Sequence, residues 1–430
     1  MSETVFFCGE AHPIDTETVV CANESVADLE PLRSLTHLRE LRLVRTDPHR
    51  RVEHWLDDLG PLRELTSLEV LELPHSAIVD LAPLAALRNL RRLELGHTGI
   101  ADLGPLRRLA RLESLGIAWT PVADLEPLRE LTHLRALNIS GTRVEDVSPL
   151  QGLHDLRSFE YRDTPVSDLS PLQGLPFSRD SQDVSLTGTG VKTLASLELA
   201  GVSELDLINT PVSELEPLRA QRSLRRLLLD GTAVTDLGPL AELTELETLT
   251  LSGTRVEDLR PLRGLRALRA LYLEGTDVHD VSPLAGLAAL EELVLAGTPV
   301  ADVSPLAPLS ALRLLQLQGT QIEDLAALSG LTHLFALNLA GTPVRDTSPL
   351  AGLQELTSLN LADTAVRELA PLAGLESLED LWLSGSGVTD LVPLAALTAL
   401  QRVHLDRTAV TDEQIARLQQ ARPALTVLKS

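Results

Sequence analysis

The chain has 430 residues with 61 acidic and 37 basic side chains, a formal net charge of −24. A surface that acidic speaks against a nucleic-acid binder or a protein held on anionic lipid. Apolar residues reach 44% while aromatics are 2%, so the core is aliphatic and built chiefly on leucine. Two cysteines exclude a disulfide scaffold and suit a reducing compartment. The start, Met1-Ser2-Glu3-Thr4-Val5, lacks a basic stretch followed by a long apolar run, and no segment approaches the ~18 apolar residues of a membrane span. The expectation is a soluble, cytoplasmic protein. Lysine occurs only at Lys192 and Lys429, and the dominance of arginine reads as the mark of a GC-rich genome.

Residues 1–18 read as an N-terminal cap, and the first strand is placed at Val19-x-Cys21, because Val26-Ala27-Asp28-Leu29-Glu30-Pro31-Leu32 follows it. That heptad returns as Ile100-Ala101-Asp102-Leu103-Gly104-Pro105-Leu106 and Val122-Ala123-Asp124-Leu125-Glu126-Pro127-Leu128. Each copy is preceded by Thr or Ser, at Ser76, Thr98, Thr120, Thr142 and Thr164, then from Thr210 to Thr408, always 22 residues apart. Such a period is the signature of a solenoid, in which one coil cannot bury its leucines alone and stacked coils share a continuous core. Within a coil, Leu112-x-x-Leu115-x-Ile117 ends in the alternation of a short strand with one buried face. Leu106, Leu109 and Leu112 recur every third residue, the period of a tight 3₁₀ turn. Ser before Pro, as at Ser148 and Ser348, resembles an N-cap, and Asp two positions earlier can accept turn N–H groups. The recurring Thr is expected to form a ladder of hydroxyls that satisfies loop backbone from coil to coil.

The pattern Leu-x-x-Leu-x-Leu-x-x-Thr followed by Val-x-Asp-Leu-x-Pro-Leu resembles the leucine-rich repeat over residues 19 to 430. It is closest to the 22-residue type of bacterial internalins and of the leucine-rich regulator of protein phosphatase 1, with Thr where Asn is usual. The resemblance implies an α/β-type solenoid, a right-handed leucine-rich repeat superhelix with a concave parallel β-sheet of about 18 strands and a 3₁₀ or extended convex side. It supports fold and binding mode, and carries over neither a host receptor nor a phosphatase.

The organisation expected is a cap over 1–18, a regular block over 19–172, an irregular joint over 173–209, a second block over 210–410, and a cap helix over 411–430 opened by Thr411-Asp412-Glu413-Gln414. The first block carries an insertion at 47–55, where the interval from Thr46 to Ser76 is 30. At the joint the Thr intervals become 25 and 21, and Phe159 and Tyr161 replace strand leucines just before it. Cys8 and Cys21 read as two small buried apolar side chains. Pairing within the cap, as in extracellular relatives of the resembled family, is the alternative.

No phosphate loop, nucleophile elbow, His-Glu-x-x-His or Cys-x-x-Cys occurs, so no catalytic residue, cofactor or metal is assigned. Two surfaces are candidates for binding a protein partner. On the concave face one outward column reads Tyr272, Val294, Gln316, Asn338, Asn360, Trp382 and His404, varied in type where a repetitive backbone needs no variation. Two of these are rings in a chain that has few, and exposed aromatics are favoured anchors. The second surface is at the N-terminal rim. His75, His97 and Trp119 share one repeat position on adjacent coils, and the insertion beside them carries His49, Arg50, Arg51, His54 and Trp55. With strands roughly 4.8 Å apart the rings should stack. Three or four histidines could converge here and bind zinc, and a recognition patch is the reading adopted. The alternating column Arg91, Glu113, Arg135 and Arg225, Glu247, Arg269, Glu291, Arg313 is assigned to coil register. Function is therefore read as a non-catalytic scaffold for a protein partner. The alternatives are a regulatory subunit of an enzyme, or an effector delivered into another cell.

Overall fold

The structure is a computed structural model that describes residues 4–22, 26–44, 56–175, 183–195, 197 and 199–429. It divides into two compact units, residues 1–181 with 185–198, and residues 182–184 with 199–430. The chain opens with an antiparallel hairpin of β1 (Thr4–Phe7) and β2 (Glu10–Pro13). A parallel sheet of seven strands follows, in sequence order: β3 (Thr18–Ala22), β4 (Glu40–Val44), β5 (Val70–Glu72), β6 (Arg92–Glu94), β7 (Ser114–Gly116), β8 (Ala136–Asn138) and β9 (Ser158–Glu160). A second parallel sheet of twelve strands begins with β10 (Asp183–Ser185), β11 (Glu204–Asp206), β12 (Arg226–Leu228), β13 (Thr248–Thr250), β14 (Ala270–Tyr272) and β15 (Glu292–Val294). It continues through β16 (Leu314–Gln316), β17 (Ala336–Asn338), β18 (Ser358–Asn360), β19 (Asp380–Trp382), β20 (Arg402–His404) and β21 (Thr426–Leu428). Against the expected sheet of about 18 strands, the described residues give nineteen parallel strands, hydrogen-bonded as ladders of seven and of twelve.

The regular coils share one construction. The middle residue of a three-residue strand is buried and its neighbours face outward, as at Leu315 between Leu314 and Gln316. On the return side, 3₁₀ turns such as Gly104–Arg108 carry proline in the first turn and bury one leucine, here Leu106. Leu106, Leu109, Leu112 and Leu115 are at most 1% exposed, which removes nearly all their apolar surface from water. The turn is capped by aspartate and not by serine. Asp146 Oδ1 accepts the Ser148 backbone N–H at 2.8 Å while the Ser148 hydroxyl donates to Asp146 Oδ2 at 2.9 Å. The same Asp bond recurs at Gly104 and Ser348. Serine sits one residue too late to cap, because the turn has already begun at its own position.

The threonine ladder also differs from expectation. Each hydroxyl donates to the carbonyl three residues back in its own coil, at 2.7 Å from Thr120 to Ile117 and 2.6 Å from Thr254 to Leu251. The rungs close their own turn and do not link one coil to the next. At Phe159 and Tyr161 the core takes two rings, 9% exposed each and stacked with centroids 4.8 Å apart. Burial pushes the Tyr161 hydroxyl well above the usual tyrosine range.

Two further features belong to the ends. Cys8 and Cys21 form a disulfide, with Cα atoms 5.8 Å apart. This corrects the reading of two unpaired cysteines: the hairpin turn carrying Cys8 lies against the buried face of β3, where Cys21 points. At the other end, α1 (Asp412–Ala421) begins with a reciprocal capping box. Gln414 N–H donates to Thr411 Oγ1 at 3.3 Å, and Thr411 N–H donates to Gln414 Oε1 at 2.8 Å.

Candidate functional site

In the C-terminal unit, strand pairing in register places Tyr272, Val294, Gln316, Asn338, Asn360, Trp382 and His404 side by side as one column across seven adjacent strands. The seven are not equivalent. Val294, shorter than its neighbours Tyr272 and Gln316, is 8% exposed and offers little surface. The Tyr272 hydroxyl donates to the Glu292 carboxylate. Burial, with this carboxylate beside it, pushes the phenol up to about 12, so it stays a neutral donor already in use. Asn338 and Asn360 do not bond each other. Each Oδ1 accepts a backbone N–H two residues on, from Ala340 at 3.1 Å and from Ala362 at 3.0 Å. That bond fixes the carboxamide.

Trp382 stacks on His404, with centroids 5.3 Å apart and planes 14° from parallel. On its Asn360 side lies a depression of about 230 Å³, lined by Gln316, Ala336, Asn338, Ser358, Asn360 and Trp382. Arg402 holds Asp380 at 2.7 Å and keeps that carboxyl below the usual range. Ala336 and Ser358 were missed in the sequence. They occupy the first strand position, which the same alternation also turns outward. Phe335, one residue earlier and 50% exposed, was missed too. The scarcity of rings that drew attention to Trp382 could have flagged it.

In the N-terminal unit, His75, His97 and Trp119 form a stack. Ring centroids are 4.3 Å apart between the histidines and 6.1 Å apart between His97 and Trp119, with both pairs 13° from parallel. All three residues have positive φ, of 59°, 60° and 58°. This left-handed conformation is one that non-glycine residues seldom adopt. Glycine holds the same repeat position at Gly275 and Gly297. The next coil carries Gly141, and a Cβ there would stand 2.4 Å from the Trp119 ring, so tryptophan spreads over the space that glycine leaves. Trp119 is 52% exposed. His49, Arg50, Arg51, His54 and Trp55 lie outside the described residues. Among the described residues, His, Cys, Asp and Glu form no group of three suited to a metal ion.

On the sheet face of this unit, Glu94 accepts the Gly96 N–H at 3.1 Å and lays its carboxylate where a Gly116 side chain would be. Burial first, then the nearby carboxylates of Glu72 and Glu160, push its carboxyl up, against the opposing Gly96 bond and Arg92. The register column of charges pairs across coils, Arg91 with Glu113 at 2.8 Å and Arg269 with Glu291 at 2.7 Å. These pairs are exposed and structural. Among the described residues no helix is long and apolar enough to cross a membrane.

Neither a protein-family model nor a curated protein matches the chain. Solved structures do. A leucine-rich repeat protein of Leptospira interrogans is 18% identical, with 93% of this chain and 92% of that one covered and a TM-score of 0.54. The functional domain of InlJ from Listeria monocytogenes, described with a cysteine ladder, is 17% identical over 92% and 76% of the two chains, with a TM-score of 0.52. A plant peptide hormone receptor, RGFR1 in complex with RGF2, is 16% identical over 98% and 70%, with a TM-score of 0.63. Identities this low speak to fold alone.

Proposed function

We propose that this chain, whose fold is the leucine-rich repeat solenoid, is a non-catalytic scaffold that binds a protein partner through the outward face of its C-terminal sheet. One observation carries the reading. The register column from Gln316 to Trp382 varies in side-chain type and opens into a depression, while the buried positions beside it stay leucine. Such a surface, with a ring at its edge and polar groups at its floor, has the make-up of a contact patch. The plant receptor of the same fold was solved with a peptide. Charge favours protein over nucleic acid, since a chain at −24 repels phosphate. Two perturbed titratable groups on this face, Tyr272 in the column and Asp380 beside it, each answer to a local partner, Glu292 and Arg402. This supports binding over catalysis. Affinity capture from the native host tests the proposal. A captured protein, once identified, should bind the purified chain and lose at least tenfold in affinity with Trp382→Ala and Asn360→Ala together, at unchanged thermal stability. An unchanged affinity, or capture of nucleic acid in place of protein, refutes it.

The rim stack of His75, His97 and Trp119 is proposed as a second contact. It keeps bulky rings in a strained conformation and in view of solvent. Trp119→Ala in the same capture experiment tests it. Location takes a second reading because of the Cys8–Cys21 disulfide. A cytoplasmic scaffold or enzyme regulator would hold these thiols reduced, whereas an exported protein would keep the bond. The disulfide therefore favours the effector or exported form of the scaffold.

A further inference from the structure

The chemistry of the depression narrows the partner further, on the reading that this face binds protein. The outward positions of three successive strands, β16 to β18, are Leu314, Gln316, Ala336, Asn338, Ser358 and Asn360, and none carries charge. In a chain of net charge −24 this is a neutral island. The nearest strand carboxylates at its two ends are already engaged, Glu292 by the Tyr272 hydroxyl and Asp380 by Arg402. Two donors stand on the island, because Asn338 and Asn360 are oriented by their oxygens accepting the Ala340 and Ala362 N–H groups. Their NH₂ groups want acceptors, which a ligand rich in free carbonyls supplies. At one end Trp382 gives one face to His404 and the other to the depression.

We infer that this island takes an uncharged, proline-rich segment of a partner protein in the polyproline II conformation. Such a segment presents solvated carbonyls and no proline N–H, so its carbonyls answer the two NH₂ groups. Its turn repeats after three residues, about 9.3 Å. Two coils of the sheet span roughly 9.6 Å. A segment lying across the strands therefore brings carbonyls of successive turns to Asn360 and Gln316, with a proline ring flat on the free face of Trp382. Aromatic-lined grooves with nearby donors are a recurrent means of reading this conformation.

Calorimetric titration of the full chain with an N-acetylated, C-amidated decaproline tests the inference. Two controls run beside it, an uncharged ten-residue peptide of Thr, Val and Gln, and the neutral oligosaccharide cellohexaose. Decaproline is expected to bind at least tenfold tighter than either control. Trp382→Ala should abolish measurable binding, and Asn338→Ala with Asn360→Ala should weaken it about tenfold. Ser358→Arg, which fills and charges the depression from an outward, half-buried strand position, should abolish binding with the same thermal unfolding as the parent chain. Absence of decaproline binding at millimolar concentration, equal or tighter binding of either control, or indifference to both Trp382→Ala and Ser358→Arg overturns the inference. If decaproline fails while an identified partner still depends on Trp382, this inference falls and the scaffold reading stands.

Discussion

Replacing threonine by the near-isosteric valine in the hydroxyl ladder should cost different amounts at two rungs that look identical in the sequence. Thr254 and Thr120 are 2% and 3% exposed, so the swap leaves packing volume nearly unchanged in both. At Thr254 the Leu251 carbonyl accepts twice, from the hydroxyl at 2.6 Å and from the Thr254 backbone N–H at 3.1 Å. Thr254→Val removes one bond and leaves the carbonyl satisfied, at a cost of about 1 kcal/mol. At Thr120, among the described residues, the Ile117 carbonyl accepts only the hydroxyl, at 2.7 Å. Thr120→Val therefore also strands a buried acceptor, and the cost rises to about 2 kcal/mol. Ser386 is the internal control, since its buried hydroxyl has no hydrogen-bond partner among the described residues. Ser386→Ala should cost less than either swap, and roughly zero. Equilibrium urea unfolding followed by circular dichroism gives the three values, and native-state hydrogen exchange assigns each to its coils. A Thr254→Val cost equal to or above that of Thr120→Val would refute the assignment of hydrogen bonds on which the ranking rests.

Gly141→Ala should destabilise clearly more than Gly275→Ala. Both have positive φ, of 67° and 66°, but only at Gly141 does a new Cβ meet the Trp119 ring, while at Gly275 nothing lies within 4 Å. Adding Trp119→Ala should bring the two costs together in a thermal-melt comparison. Glu94 has its carboxyl pushed up by burial, so the folded state binds its proton more tightly than the unfolded chain. This group's contribution then falls as pH rises from the unfolded value toward the raised folded one. Glu94→Gln should accordingly raise the melting temperature at pH 7, with the gain vanishing below about pH 4; an equal gain at both pH values would contradict the burial argument. The Cys8–Cys21 bond, spanning 13 residues, should contribute about 3 kcal/mol to the N-terminal unit. Thiol titration of the oxidised, unfolded chain should find no free thiol, and two after reduction.

The 22-residue period alone determined the fold. A repeat with alternating leucines, a proline turn and a leucine every third residue has one way to bury its apolar edge, by stacking on its copies, and that fixed the strands, their register and their outward columns. The column from Tyr272 to His404 could be read off by counting, because register in a stack of equal coils follows repeat position. Tertiary structure decided what depends on distances between atoms that the period treats alike. It closed the Thr120 hydroxyl onto its own turn, bent Asn338 and Asn360 back to their own backbone, buried Val294 between longer neighbours and joined Cys8 to Cys21. A repeat pattern says where a side chain stands along the stack, whereas which of two nearby partners it chooses turns on differences of an ångström or less that hydrogen bonds and packing resolve.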